Sequence, residues 1–421
     1  VTMVAAGADP ALYGHRMGSA RLSLGDGAAG RPVTVRQTRH GFGFGNIGFD
    51  LIGLANGEEE APSTGFGQAP SAMAEGLAAQ WLELFNTVTL PFYWRTFEPA
   101  EGHPDTRRLQ AAARWFRERG VTVKGHPLVW HTLAPEWLLG RPNDEVRRRI
   151  EARVTREVTD FAGLVDQWDA INEVVILPDF TAEDNAVTAL ARELGRVEMV
   201  RLAFETARNA DPSVRLVLND FNMSARYEAL IEEVLAAGIR LDAIGLQSHM
   251  HQGYWGEERT LEVLSRFGRF GLPLQFTETS LVSGEIMPAE IVDLNDYQVP
   301  SWPSTVDGEA RQADEVSRHY RTLVEHRSVE AITYWGITDA GAWLGAPIGL
   351  IRADGTPKPS FEALRGLIRG EWWVPETSVV ADERGEVAVE GFAGDYEAVV
   401  DGRGTAFNVA AGSETGVDLS R

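Results

Sequence analysis

Cysteine is absent from this 421-residue chain. Its absence excludes thiol nucleophiles, disulfide scaffolds and cysteine-ligated metal sites, and leaves the redox compartment open. No apolar run approaches the ~18 residues that a helix needs to cross a bilayer. Positive charge is scarce too, with 39 Lys and Arg against 61 Asp and Glu, a formal net charge of −22. A surface that negative repels nucleic-acid phosphates and anionic lipids, so neither nucleic acid nor membrane is expected as a partner. The first 14 residues show no basic head followed by an apolar segment. That suits a cytoplasmic protein or a secreted one already trimmed, and the oligomeric state is left open. No low-complexity tract appears.

What is present is a large core: 44% of residues are apolar and 24% charged. A rhythm of short apolar strands followed by helical stretches begins near residue 42. Strands are predicted near 42–46, 85–91, 121–130, 166–173, 215–220, 243–249, 273–278 and 331–337. Helices are predicted over 105–119, 143–163, 190–209, 225–237, 258–268 and 309–327. Eight strands alternating with helices predict an α/β protein, a (β/α)₈ TIM barrel. A doubly wound open sheet is the alternative, but it would normally carry a phosphate-binding glycine fingerprint. Here Gly41, Gly43 and Gly45 alternate within a strand and precede no helix, as if the backbone approached a neighbour closely.

The chain ends read differently. Residues 19–39 alternate around a Gly-rich turn, with Ala20, Leu22 and Leu24 on one parity and Val33 and Val35 on another, which predicts a hairpin. Residues 378–420 alternate in short strands with Gly/Asp turns and are expected to expose few aromatics (Phe392, Tyr396, Phe407). Each segment is too small to stand alone. The expected division is therefore an N-terminal β segment (1–39), a catalytic barrel (40–370) and a C-terminal β segment (371–421) that pairs with the first. Two long connections, 48–72 and 281–309 with Tyr297 and Trp302, read as binding loops or plain insertions.

In such a barrel the strand C-termini carry the chemistry. The fourth strand reads Gln167-Trp168-Asp169-Ala170-Ile171-Asn172-Glu173 and the seventh reads Gln275-Phe276-Thr277-Glu278. A lone strand-end glutamate is an ordinary salt-bridge partner. Two of them, flanked by strand-end histidines and tryptophans, suit glycoside hydrolysis, in which one carboxyl gives a proton and the other stays ionised and attacks the anomeric carbon.

The chain resembles glycoside hydrolase family 10, the xylanase-type barrel hydrolases. The segments carrying the resemblance lie in order. They are Lys124-Gly125-His126-Pro127-Leu128-Val129-Trp130-His131, Trp168 to Glu173, Asn219-Asp220-Phe221-Asn222, Gly245-Leu246-Gln247-Ser248-His249, Thr277-Glu278, and Trp335-Gly336-Ile337-Thr338-Asp339 through Trp343 to Pro357-Lys358-Pro359. The resemblance implies a retaining endo-β-1,4-xylanase acting on a plant-type β-glycan or oligosaccharide, without cofactor or metal. It implies Glu173 as acid/base and Glu278 as nucleophile. Asn172 would meet a sugar 2-hydroxyl and His249 would hold Glu278. His126, Trp130 and Gln247 would line the site of the reacting sugar, with Trp335, Trp343 and Tyr93 as further substrate contacts.

The pattern breaks on the second strand. The family's Glu, Asn and Lys, which grip the glycone-side sugars, fall at Thr89, Leu90 and Tyr93, although Trp94 and the Glu98-Pro99-x-x-Gly102 anchor fix the register. Thr279-Ser280 replaces the usual Leu-Asp after the nucleophile, and Leu133 replaces a Gln. The stretch from Thr89 to Tyr93 is expected to offer apolar and aromatic surface, which directs the substrate toward a decorated glycan, a β-1,3/1,4-glycan or a small glycoside as in tomatinase-type relatives. Outside this class stand a metal-dependent amidohydrolase-type barrel, which predicts a His-x-His at the end of the first strand where this chain has Gly43-Phe44-Gly45-Asn46, and a non-catalytic sugar-binding protein, which predicts loss of one carboxylate. Separately, His249 and His251, two apart on a strand, offer a possible metal pair.

Overall fold

The computed structural model describes residues 3–5, 7–59, 67 and 69–420. Part of the 48–72 connection (60–66 and 68) lies outside them. Eight parallel strands form the barrel: Gly43–Ile47, Thr87–Pro91, Thr122–His126, Gln167–Asn172, Arg215–Asp220, Ala243–Leu246, Leu274–Leu281 and Val329–Tyr334. Each pairs with its sequence neighbour, and the eighth closes on the first with Ala331 opposite Gly43. The glycines of the first strand permit this closure. A Cβ on Gly43 would lie 2.8 Å from that of Ala331, and one on Gly45 would lie 3.0 Å from the Thr333 hydroxyl.

Helices cover the barrel wherever the 3.6-residue period predicts them, with one difference. The predicted helix over 190–209 is two, Ala186–Leu194 and Arg196–Ala210. They break at Gly195, whose φ of 82° lies outside the helical region. Ala74–Leu84 and Pro359–Gly366 complete the coat.

Strands from the two chain ends form two four-stranded sheets. One runs Met3–Ala5, Glu386–Phe392, Met17–Ser23, Glu414–Asp418, and the other Thr377–Val380, Pro32–His40, Gly394–Val400, Arg403–Val409. The predicted 19–39 hairpin does not form. Met17–Ser23 and Pro32–His40 lie in different sheets and face each other, because Ala20, Leu22, Val33 and Val35 all enter one apolar core with Val387, Val389 and Ala398. Alternation marks which side of a strand is buried, not which strand it pairs with. Phe392, Tyr396 and Phe407 are buried as well, so none is an exposed platform.

This sandwich sits against the N-terminal ends of the barrel strands. Arg16 donates through Nη2 to the carbonyls of His326 and Val329, both at 2.7 Å, where the eighth strand begins. Arg39 donates to Gly120 O at 3.0 Å and Thr122 Oγ1 at 2.6 Å, at the start of the third. Tyr13 packs edge-on to Trp372 and against Phe392.

Candidate active site

The opposite end of the barrel gathers the strand-end residues. Glu173 is the first residue after the fourth strand and adopts φ 59°, a left-handed conformation that costs a non-glycine residue about 1–3 kcal/mol. Its own N–H donates to the Asn219 carbonyl at 2.9 Å, which fixes the turn. The side chain is thereby aimed across the rim. It accepts hydrogen bonds from Trp130 Nε1 at 2.9 Å and Gln247 Nε2 at 3.2 Å. Beside it at 3.7 Å lies His131 Nε2, whose pKa burial lowers to about 3, so no cation offsets the carboxylate there. Burial, then the charges of Glu278 and Asp220, push the Glu173 pKa up to about 8.

Glu278 lies within the seventh strand and is better supplied with donors. Asn219 Nδ2 donates to Oε1 at 3.0 Å, and His249 Nε2 lies 2.8 Å from Oε2. His126 Nε2 is 3.7 Å from Oε1. His126 is itself held by Asp169, whose Oδ2 is 2.7 Å from Nδ1. Burial raises the Asp169 pKa, but the Lys124 ammonium, 2.8 Å away, and His126 outweigh it and hold Asp169 below its usual range. Ionised Asp169 accepts the Nδ1 proton, which leaves Nε2 facing Glu278.

One amide network joins the two carboxylates. Asn219 Nδ2 reaches both Glu278 and Asn172 Oδ1, the latter at 3.0 Å. Gln247 Nε2 reaches Asn172 Oδ1 at 3.1 Å as well as Glu173. With its oxygen bound twice, Asn172 keeps its NH₂ group on the other side of the side chain. Asn219 is the residue that sequence reasoning missed. Its signal was the Asn-Asp-Phe-Asn segment at the end of the fifth strand. Ser280 was likewise missed: its hydroxyl lies 3.2 Å from His249 Nδ1 and 3.3 Å from His251 Nδ1, so the two histidines are linked through it. Among the described residues no third ligand completes a metal site with them.

The aromatic residues surround this centre. Trp335 lies edge-on to His126 and His249, and Trp343 packs against His249 and His251. Trp302, from the long 281–309 connection, stands behind His251 and anchors its own loop by donating to Glu285 O at 2.7 Å. Tyr93 packs 5.7 Å from both His126 and Trp130, and burial, with the charges of Glu278 and Glu173, keeps its phenol protonated.

The expected apolar surface along residues 89–93 is not present as such. Thr89, Leu90 and Phe92 are buried, and Phe92 packs into the core on Phe97, Phe161 and Trp168. Only Tyr93 stands beside the carboxylates. The Glu98 anchor is structural: it takes hydrogen bonds from Trp94 Nε1, Gly102 N and Arg156.

The family model described as glycosyl hydrolase family 10 matches residues 70–366. Endo-1,4-beta-xylanase 3 of Hypocrea jecorina is 26% identical over 285 residues, covering 66% of this chain and 73% of its own. Endo-1,4-beta-xylanase A of Xylanibacter ruminicola is 30% identical over 280 residues, covering 59% of this chain and 72% of its own. Among solved structures, the xylanase 10B of Thermotoga petrophila, in complex with xylobiose, superposes with a TM-score of 0.62 at 22% identity, covering 78% of this chain and 94% of that one.

Proposed function

The chain belongs to glycosyl hydrolase family 10 and is a glycoside hydrolase with a carbohydrate substrate, and from that premise we propose that it cleaves β-1,4-xylosidic bonds with retention, Glu278 acting as nucleophile and Glu173 as acid/base. The observation that carries the assignment is the asymmetry of the two carboxylates within one amide network. Glu278 is met by Asn219 Nδ2 at 3.0 Å and by His249 Nε2 at 2.8 Å. Glu173 is desolvated with no cation to offset it, so at neutral pH it holds the proton that a leaving oxygen needs.

The same arrangement supplies the second step. When Glu278 becomes a glycosyl ester its charge disappears, and with it one of the forces raising the Glu173 pKa. Glu173, having given up its proton, then serves as base toward water. The NH₂ of Asn172 would donate to the sugar 2-hydroxyl, a contact that strengthens as the oxocarbenium-like state forms. Trp335 and Trp343 supply apolar faces beside it. Catalysis is assigned to the barrel (40–370), and the paired end segments (1–39 and 371–421) to its support.

An NMR time course of hydrolysis tests the assignment. The β-anomer is expected to appear first, and first release of the α-anomer overturns it.

A second reading concerns the substrate. Thr89 and Leu90 are buried where the family's gripping residues would stand. That favours a decorated glycan or small glycoside over linear xylan, and low kcat/KM on linear xylooligosaccharides is its test.

A further inference from the structure

We propose that Lys358 is a positioning residue for substrate binding: its buried ammonium joins the necks of the two loops that carry Trp302 and Trp343, and so sets the aromatic wall beside the nucleophile. The inference rests on the glycosidase reading above and goes beyond it in giving the Pro357-Lys358-Pro359 segment a role that the reaction itself leaves open.

The segment is built to hold one side chain still. A residue before proline is confined to extended backbone, and Lys358 has φ −83° and ψ 164°. Its N–H donates to Leu350 O at 2.9 Å, and the helix Pro359–Gly366 starts directly after it. Lys358 is 0% exposed. Burial lowers its pKa, and the Asp339 carboxylate works against that fall. A lysine charge is stable in a protein interior only where fixed acceptors meet it. Here they are Ser283 Oγ and Asp339 Oδ1, each 2.8 Å from Nζ.

The two acceptors belong to different loops. Asp339 follows the eighth strand. Its N–H donates to Ile351 O at 3.0 Å, which closes that loop at its neck. Its carbonyl accepts from Ala342 N–H at 3.3 Å, a turn that leads directly into Trp343. Ser283 follows the seventh strand. Its carbonyl accepts from Thr305 N–H at 2.9 Å and its hydroxyl lies 2.8 Å from that of Ser304, so the 281–309 connection is closed there, with Trp302 just inside the neck. The necks also meet directly, where Ser283 N–H donates to Pro347 O at 2.9 Å. A second clasp repeats the link nearer the surface: Arg352 donates to both carboxylate oxygens of Glu309, at 2.9 and 2.7 Å.

What the necks carry converges. Trp302 and Trp343 both pack against His251, and Trp343 also packs against His249, whose Nε2 lies 2.8 Å from Glu278. Movement of either neck therefore displaces a ring of the wall, and a displacement of about 1 Å at a binding group is enough to be felt in turnover.

The test replaces Lys358→Met together with Asp339→Asn, so that no charge is left buried alone. With an aryl β-xylobioside as probe, KM should rise about tenfold while kcat stays within about threefold. Trp343→Ala added to this pair should cost at least about fivefold less than the product of the separate losses, because both act through one ring. Hydrogen exchange read by mass spectrometry should show peptides from 284–304 and 340–350 exchanging faster together, by about tenfold, with sandwich peptides unchanged. Multiplying losses, a fall in kcat at constant KM, or faster exchange in one loop alone overturns the role of Lys358 and leaves the glycosidase reading intact. No turnover of the probe by the unaltered enzyme overturns the xylosidic reading, and the exchange measurement then decides the coupling of the loops by itself. If circular dichroism shows the pair variant unfolded, Ser283→Ala, which cuts the link on one side only, should raise KM about threefold, and an unmoved KM in that variant overturns the proposal.

Discussion

At one end of the barrel, arginine side chains cap main-chain carbonyls and aromatic rings pack between sandwich and strands. At the other, two carboxylates are buried within one amide network, and one of them has no cation beside it. Arg16 satisfies the carbonyls of His326 and Val329, an arrangement that lowers the free energy of the fold and touches no substrate. Glu173 does the reverse: its raised pKa and its φ of 59° both cost stability, and both are what its chemistry needs. In a (β/α)₈ barrel the two ends can be specialised this way because the strands between them are rigid.

The contrast can be broken by mutation, and the largest effect is expected at the rim. Glu278→Ala should abolish turnover, because it removes the carboxylate assigned to form the glycosyl ester; substantial steady-state activity in this variant would remove Glu278 from its role. Next comes Glu173→Ala. It should lower kcat by roughly 10²–10⁴ on substrates with poor leaving groups. Aryl glycosides with good leaving groups should suffer less, because they need little protonation, and equal loss on both kinds would count against an acid role.

A third variant sharpens the contrast through stability. The folded-state pKa of Glu173, about 8, lies above the ordinary carboxylate value. The folded protein therefore binds the proton more tightly than the unfolded chain. Below the ordinary value both states are protonated and Glu173 costs nothing by this route. The cost grows as pH rises toward 8 and is complete above it. Glu173→Gln should therefore stabilise the protein by roughly 1–4 kcal/mol above pH 8, with little gain near pH 4, as read from denaturant midpoints at the two pH values. A gain of the same size at both would show that proton binding is not its source. The smallest effect is expected at the far end. Arg16→Met leaves buried carbonyls without a donor and should cost about 1–3 kcal/mol while leaving kcat/KM of the folded enzyme unchanged.

The barrel and its two glutamates were legible in the sequence for a physical reason. A strand buried on both sides reads as an apolar run, and polar residues at its C-terminal end stand out against it, as Asn172-Glu173 and Thr277-Glu278 do. Gly43 and Gly45 were legible too, since glycine inside a strand signals close approach. The sandwich was legible only in part. Ala20 and Val33 show by parity that they are buried, but pairing partners lie hundreds of residues away and leave no local mark. Leu90 and Phe92 misled for a related reason. An apolar residue near a strand end can face the cleft or the core, and here helix packing takes Phe92 to Phe161 and Trp168.

The central claim is that Glu278 attacks the sugar while Glu173 manages the proton. Its most direct test is covalent. An activated 2-deoxy-2-fluoro glycoside of the accepted sugar should slow both steps and trap the intermediate, since the fluorine withdraws charge from the oxocarbenium-like state. Intact-mass measurement followed by peptide mapping should then show one sugar per chain, esterified to Glu278. An adduct on Glu173, or no adduct together with α-anomer as first product, would contradict the account.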